Sequence, residues 1–147
     1  MTKTIKELVI ITGLSGAGKS TAIGFMEDIG YYCIDNMPPE LLTTFLDLIS
    51  KQKDGKIAIV MDIRSTEKFD GVLDTLDHLE DYGYSVKVIY LDIKTHIALK
   101  RYKLTRRKHP YAERFNGDIA KALAYEKEIM TPLRSRADFI IDSSDAP

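Results

Sequence analysis

Five short apolar runs, each nearly continuous, recur along the chain and constrain its fold more than any other feature. They cover residues 8–12, 31–35, 57–62, 86–92 and 138–142. Nearly continuous apolar runs are typical of strands covered on both faces, because a strand with one wet face would alternate apolar and polar residues. The chain is therefore expected to form a parallel sheet of five strands.

Helical periodicity fills the intervals between these runs. It predicts helices over residues 18–29, 39–51, 67–82, 95–108 and 118–131,. Strands and helices that alternate in this way are joined by right-handed crossovers, which place helices on the sheet. The pattern therefore predicts an α/β fold with three layers, doubly wound around the sheet.

Composition limits the class of protein. A chain of 147 residues fits one domain, residues 1–147, and its 44% hydrophobic and 29% charged residues are typical of a soluble globular protein,. The formal net charge of -1 provides no overall field for nucleic acid or membrane, so a polyanion site must be local,. No apolar run approaches the roughly 20 residues of a membrane span and no signal-peptide cleavage pattern is visible. A cytoplasmic protein without a membrane partner is expected.

The segment after the first run carries the most specific motif in the chain. It matches the pattern G-x-x-x-x-G-K-[ST] and opens a predicted helix, with the residues Gly13, Leu14, Ser15, Gly16, Ala17, Gly18, Lys19 and Ser20, followed by Thr21,. In such a loop the N–H groups and the helix N-terminus face phosphate oxygens. Lys19 is expected to reach the β- and γ-phosphates and to act in catalysis, and the Ser20 hydroxyl to ligate Mg²⁺. The ligand predicted is a nucleoside triphosphate with Mg²⁺, in a P-loop NTPase of the nucleotide-kinase kind.

Aspartates end several of the apolar runs, on the side of the sheet where ligands of α/β proteins bind. Asp62 follows an apolar run directly and is predicted to hold the Mg²⁺ water shell, the alternative being a solvated turn at the end of the strand,. Asp35 is predicted either to orient an acceptor hydroxyl or attacking water, or only to shape a turn. Arg64 and Ser65, with Ile63 between Asp62 and Arg64, could contact phosphate or ribose, and the arginine could instead pair with an acid.

A run of positive charge lies near the end of the fourth predicted helix. Six of the nine residues from 100 to 108 are basic: Lys100, Arg101, Lys103, Arg106, Arg107 and Lys108. A solvated helix surface is the simple interpretation. Because the six charges repel one another, a bound polyanion would relieve a cost. The run is therefore also a candidate for a lid, whose Arg106 and Arg107 stabilise the transferring phosphoryl group, or for an RNA contact. His78, His96 and His109 are interpreted as surface or turn residues.

Taken in order, these segments resemble the RapZ/YvcJ family of bacterial nucleotide-binding proteins. Besides the loop, the resemblance rests on residues 27–39 (Glu-Asp-Ile-Gly-Tyr-Tyr-Cys-Ile-Asp-Asn-Met-Pro-Pro), 62–65, 105–110 (Thr-Arg-Arg-Lys-His-Pro) and 132–138. It implies binding of ATP and GTP, with slow hydrolysis in some members. It assigns ATP to residues 13–20 and a second, guanine-nucleotide segment to Asp62, Ile63, Arg64 and Ser65.

The resemblance also implies more than this chain contains. Family members continue into a C-terminal domain, which in the enterobacterial branch binds RNA and serves as an adaptor for a ribonuclease. The chain stops five residues after its last predicted strand, so we expect an isolated N-terminal domain with the C-terminal domain absent. The partner expected is a nucleoside triphosphate. RNA, through the absent domain, and a homo-oligomer remain open.

Three functions are compatible with these residues. The first is a regulatory nucleotide-binding domain with weak NTPase activity. The second is a small-molecule kinase that uses the same loop and a basic lid. The third is an RNA-binding module in which the nucleotide is a structural ligand.

Overall fold

Strands and helices alternate along the computed structural model, which describes residues 6–49, 55–61, 69–82, 84–105 and 109–144. In chain order the elements of these ranges are β1 (Lys6–Gly13), α1 (Lys19–Asp28), β2 (Tyr32–Met37), α2 (Leu42–Ile49), β3 (Lys56–Met61), α3 (Phe69–His78), β4 (Tyr84–Asp92), α4 (Thr95–Thr105), α5 (Ile119–Arg136) and β5 (Phe139–Asp142). Short 3-10 turns precede α2 at Pro39–Leu41, follow α3 at Leu79–Tyr82 and lie before α5 at Ala112–Phe115. None of the helices in the described ranges is long and apolar enough to cross a bilayer.

The five strands form one sheet in the order β2-β3-β1-β4-β5, and every pair of neighbours is parallel. This confirms the predicted five-stranded parallel sheet. The chain passes from β1 over β3 to β2, and then returns through the neighbouring β3, over β1 to β4, and on to β5. Because crossovers are right-handed, this reversal puts α1 on one face and the later helices on the other.

The core lies on both faces of the central strands. In β1 Leu8 and Ile10 are fully buried, and all residues of β3 after Lys56 are buried. The prediction of doubly covered strands is thus correct at the centre of the sheet. It is wrong for the two edge strands: all four residues of β5 are exposed, and Met37 is the one buried residue of β2.

Two of the differences from the predicted boundaries change the place of a candidate site residue or of a proline. Strand β2 runs past Asp35 to Met37, so this aspartate lies within the strand and not at its end. Helix α5 continues through Pro132 to Arg136, five residues beyond the predicted end at residue 131. The helix continues because its apolar stripe does, with Met130 and Leu133 buried on either side of the proline. Burial there outweighs the hydrogen bond that a proline lacks.

We expect Pro132→Ala to stabilise the domain by about 1 kcal/mol, since alanine restores a helix N–H and the gain is partly offset by greater freedom of the unfolded chain. The side chain of Pro132 is exposed, so no packing is lost. Urea unfolding measures the change. Ser135→Ala, at another exposed position of α5, is the control for helix propensity alone, and equal effects of the two substitutions would contradict the explanation.

Candidate functional site

The glycine-bearing loop joins the central strand to the first helix. Strand β1 lies between β3 and β4 and ends at Gly13, and α1 begins at Lys19. The loop therefore lies at the carboxyl edge of the sheet, where the strand order changes direction and where open α/β sheets bind ligands. Its glycines Gly13, Gly16 and Gly18 all have positive φ, which suits a tight turn that exposes backbone N–H groups.

Lys19 folds back over the start of the loop. Its Nζ donates to the carbonyl oxygens of Gly13 and Leu14, both at 3.1 Å. The N–H groups of Gly16 and Gly18 donate to no acceptor in the part of the chain that the structure describes. These donors, one ammonium group and the N-terminus of α1 leave the loop suited to an anion.

Two residues of α4 contact the middle of the loop. The Arg101 guanidinium donates to the carbonyl oxygen of Gly16 at 3.0 Å and to that of Ser143, beyond β5, at 2.9 Å. The Tyr102 ring lies so close to Gly16 that an added Cβ would be 3.4 Å from it. Arg101 thus connects the loop with the end of the sheet. In the sequence it belongs to the basic run that is a candidate for a lid or for an RNA contact.

Glu126 of α5 contacts the loop on another side. Its Oε1 accepts the Ser15 N–H at 3.0 Å and its Oε2 accepts the Ser15 hydroxyl at 2.6 Å. His109 Nε2 lies 3.3 Å from Oε1, and His109 Nδ1 accepts the N–H of Tyr111 at 3.1 Å. Because Nδ1 accepts, the proton of the neutral ring is on Nε2, and His109 donates to Glu126. Glu126 is 3% exposed and His109 is 2% exposed.

Sequence reasoning missed this pair of residues. Glu126 was not among the predicted site residues. His109 was interpreted as a surface or turn residue, and a surface position is wrong, because its side chain is buried against Glu126. The signal for Glu126 was its position: it shares a helical stripe with Leu123, Met130 and Leu133, which are all buried. An acid on an apolar helix face needs a buried partner. His78 and His96 are exposed, as predicted.

The environment of Glu126 favours its charged form. Burial is the largest single influence and opposes ionisation, but the hydrogen bonds from His109 and Ser15, with the electrostatic attraction of His109, together outweigh it. The pKa of the Glu126 carboxyl therefore lies below its ordinary value,.

A lowered pKa predicts a loss of stability in acid. The unfolded chain takes up the proton more readily, so the contribution of the carboxylate is fully present above its ordinary pKa of 4.5 and is lost as the pH falls through the lower folded value,. The Glu126→Gln variant lacks this ionisable carboxyl group. The difference in unfolding free energy between wild type and this variant should be constant near neutral pH and change below about pH 4.5. Urea unfolding across that range measures it, and parallel pH curves would contradict the assignment.

The remaining predicted residues are placed as follows. Asp35 is exposed on β2, and one of its side-chain oxygens accepts the N–H of Asn36, which has a φ of 57°. That contact shapes the strand locally, and a role toward an acceptor or water stays a prediction. Ser20 and Thr21 are exposed in the first turn of α1. Six others lie outside the described residues: Asp62, Ile63, Arg64, Ser65, Arg106 and Arg107.

The possible metal ligands near the loop suit Mg²⁺ better than a metal ion that needs many protein ligands. Among the described residues no three His, Cys, Asp or Glu side chains meet as a ligand cluster. The exposed Ser20 hydroxyl is a suitable oxygen for an ion that keeps water and phosphate in most of its shell. The Thr12 hydroxyl, at the end of β1, is buried and has no hydrogen-bond partner within the described ranges.

Solved structures with this fold include several P-loop proteins. Shikimate kinase from Bacteroides thetaiotaomicron superposes with a TM-score of 0.58 at 13% identity and covers 93% of this chain and 86% of its own. The Bacillus subtilis YorR protein, solved with phosphorylated GDP, gives a TM-score of 0.59 at 19% identity over 92% of this chain and 84% of its own. At these identities the likeness shows the fold alone, which is the predicted P-loop NTPase fold.

Sequence relatives are much closer. The "Nucleotide-binding protein" of Finegoldia magna is 45% identical over 141 residues, 95% of this chain and 49% of the relative. The "Nucleotide-binding protein YvcJ" of Bacillus subtilis is 45% identical over 142 residues, 95% of this chain and 48% of the relative. The chain thus spans about half the length of these curated relatives. The sequence profile of the RapZ-like N-terminal domain matches residues 6–146, and the chain belongs to that family.

Proposed function

We propose that this chain binds a nucleoside triphosphate, ATP or GTP, with Mg²⁺ at residues 13–20 and hydrolyses it slowly, as the nucleotide-binding domain of a RapZ/YvcJ-like protein. The observation that carries the proposal is the contact of Lys19 Nζ with the carbonyl oxygens of Gly13 and Leu14. It places an ammonium group over a loop whose later N–H groups face no protein acceptor among the described residues. The relatives are named nucleotide-binding proteins, which supports a nucleotide as the anion that the loop binds.

The chemistry follows from these residues. On binding, Lys19 exchanges two carbonyl oxygens for the β- and γ-phosphate oxygens, and the loop N–H groups hold the remaining phosphate charge. Ser20, together with Asp62 as predicted from the sequence, would hold Mg²⁺, which neutralises phosphate charge when bound.

Slow turnover is favoured because Glu126, the acid that contacts the loop, is already engaged. Its two oxygens accept hydrogen bonds from Ser15 and His109, and it is buried. A carboxylate satisfied in this way is a poor base for an attacking water, since it would have to give up those bonds. The proposal therefore assigns binding as the main activity and hydrolysis as a low background.

The test is a calorimetric titration of the protein with Mg-ATP, Mg-GTP and the corresponding monophosphates, combined with an assay of phosphate release. We expect saturable binding of both triphosphates, weak or absent binding of the monophosphates, and a low rate that needs no acceptor. A folded protein that binds neither triphosphate would overturn the proposal.

The same assay separates the other two functions. A small-molecule kinase should consume ATP much faster when a mixture of metabolites is added. An RNA module should bind RNA with a steep salt dependence that weakens when Arg106 and Arg107 are replaced. Neither change is expected of a regulatory nucleotide-binding domain.

A further inference from the structure

The contact between Glu126 and Ser15 joins two parts of the chain that are 111 residues apart. Both carboxylate oxygens are used on this one loop residue, one on its N–H and the other on its hydroxyl. The contact fixes two atoms of Ser15, and with them the orientation of the peptide group that precedes it.

A core helix does not need a carboxylate at this position. The other members of the stripe, Leu123, Met130 and Leu133, are apolar and buried. Replacing a buried charged group by an apolar one of similar size often leaves stability unchanged or raises it, because burial of a charge is costly. The distinctive contribution of Glu126 is therefore the geometry that it imposes on Ser15.

His109 orients the carboxylate in turn. Its Nδ1 accepts a backbone N–H, so its Nε2 proton is directed at Glu126 Oε1. Its ring also lies beside that of Tyr102, with 5.4 Å between the ring centroids, and Tyr102 lies against Gly16. The side chains that contact Ser15 and Gly16 thus form one connected group, which Arg101 extends through its bond to the Gly16 carbonyl oxygen.

These contacts are confined to one part of the loop. Lys19 contacts the carbonyl oxygens of residues 13 and 14, and the connected group contacts residues 15 and 16. The N–H groups that follow, of Gly16 and Gly18, have no acceptor among the described residues. Fixing Ser15 therefore orients the donors that come after it, without occupying them.

We propose that Glu126, oriented by His109, is a positioning residue for the phosphate loop, which holds the Ser15 N–H and hydroxyl so that the following N–H groups face the phosphates. This inference rests on the proposed function, since it assigns a residue to the same site. It adds a requirement that the loop motif does not contain, namely an acceptor supplied by α5.

Glutamine is the informative substitution at this position. In Glu126→Gln the amide oxygen can still accept from Ser15 N–H and His109, and the amide nitrogen can donate to the Ser15 hydroxyl, which can act as an acceptor. The geometry is kept and only the charge is lost. Glu126→Ala removes both.

The experiment is calorimetric titration with Mg-ATP at a temperature at which circular dichroism shows each variant to be folded. We expect Glu126→Ala to weaken affinity about 10-fold and Glu126→Gln to stay within about 3-fold of wild type. Glu128→Ala, an exposed position two residues further along α5, is the matched control and should bind as wild type. Rescue by glutamine is the sign of positioning, since loss of affinity through damage to the fold would not track the hydrogen-bond geometry.

Hydrogen exchange of the loop amides without nucleotide provides an independent test. We expect faster exchange of the Ser15 amide in Glu126→Ala, little change in Glu126→Gln, and unchanged protection in β1 and β4. If Glu126→Ala does not fold, Ser15→Ala replaces it, since that variant loses the hydroxyl contact alone; we expect a weakening of about 3-fold and a larger loss when it is combined with His109→Gln.

The two failures are distinguishable. If wild type binds Mg-ATP and a folded Glu126→Ala protein binds it equally well, the positioning role is overturned and the proposed function stands. If wild type binds no nucleotide, the proposed function fails and the inference fails with it. Equal losses in the glutamine and alanine variants would also overturn the positioning role, because the retained geometry would then have no effect.

Discussion

Gly13→Ala is expected to destabilise the domain by about 3 kcal/mol or more, through a clash that no side chain can relieve. A Cβ at this position would lie 2.3 Å from the carbonyl oxygen of Leu91 and 2.7 Å from its nitrogen. Both atoms belong to the backbone of β4, which pairs with β1 along its whole length up to Gly13. Relief would require the two central strands to separate where the loop begins. The φ of 141° adds strain, because L residues rarely adopt it,.

Gly24→Ala is the matched control for this substitution. Gly24 lies in α1 with nothing within 4 Å of an added Cβ and without a positive φ, so alanine should stabilise the helix by about 0.5 to 1 kcal/mol. Urea unfolding of the two variants measures both effects. Opposite signs are expected, and a Gly13→Ala protein as stable as wild type would show that β1 and β4 are further apart than described.

The fold was predictable because its cause is local. Continuous apolar runs identify strands that are covered on both faces, and residues 8–12 and 57–61 are buried as that pattern requires. The order of the strands was not predictable, since the five runs are chemically alike and the pairing of β1 with β3 and β4 depends on packing between distant segments. The exposure of β5 was not predictable for the same reason, because the strand order of the sheet, and not the apolar run itself, puts this strand at an edge.

The ends of elements were less predictable than their existence. Pro132 normally marks a helix end, yet α5 passes through it because buried Met130 and Leu133 continue the apolar stripe. The predicted strand ended at Asp35, but β2 continues past the polar Asn36 to Met37, which pairs with Met61 of β3. In both cases burial of a later apolar residue outweighed a local signal for a stop.

Some residues of the candidate site were predictable from the sequence and others were not. Residues 13–20 form a motif whose residues are contiguous, so the sequence alone predicts their chemistry. Glu126 could be recognised only as an acid on an apolar helix face, and nothing in the sequence pointed to Ser15 as its partner 111 residues away. His109 was interpreted as a surface or turn residue. The turn is present, but the ring faces inward to Glu126.

Lys19→Ala is expected to weaken nucleotide binding at least about 100-fold without unfolding the domain, since it removes the ammonium group that we propose pairs with the β- and γ-phosphates. Folding should survive because the Lys19 side chain is only half-buried and bonds to two carbonyl oxygens beside the loop, which water can satisfy instead. Titration with Mg-ATP and Mg-GTP measures the loss, and circular dichroism verifies the fold.

Lys121→Ala separates the effect of the site from that of charge in general. Lys121 is exposed near the start of α5, and its described hydrogen bond is made by its backbone N–H to Asp118. Both variants remove one positive charge from a chain with a formal net charge of -1, so a loss due to the overall field would be the same in both. A loss confined to Lys19→Ala locates the nucleotide at the loop, because an ammonium group acts on a phosphate at full strength only over a few ångströms. Unchanged affinity in a folded Lys19→Ala protein would place the nucleotide elsewhere.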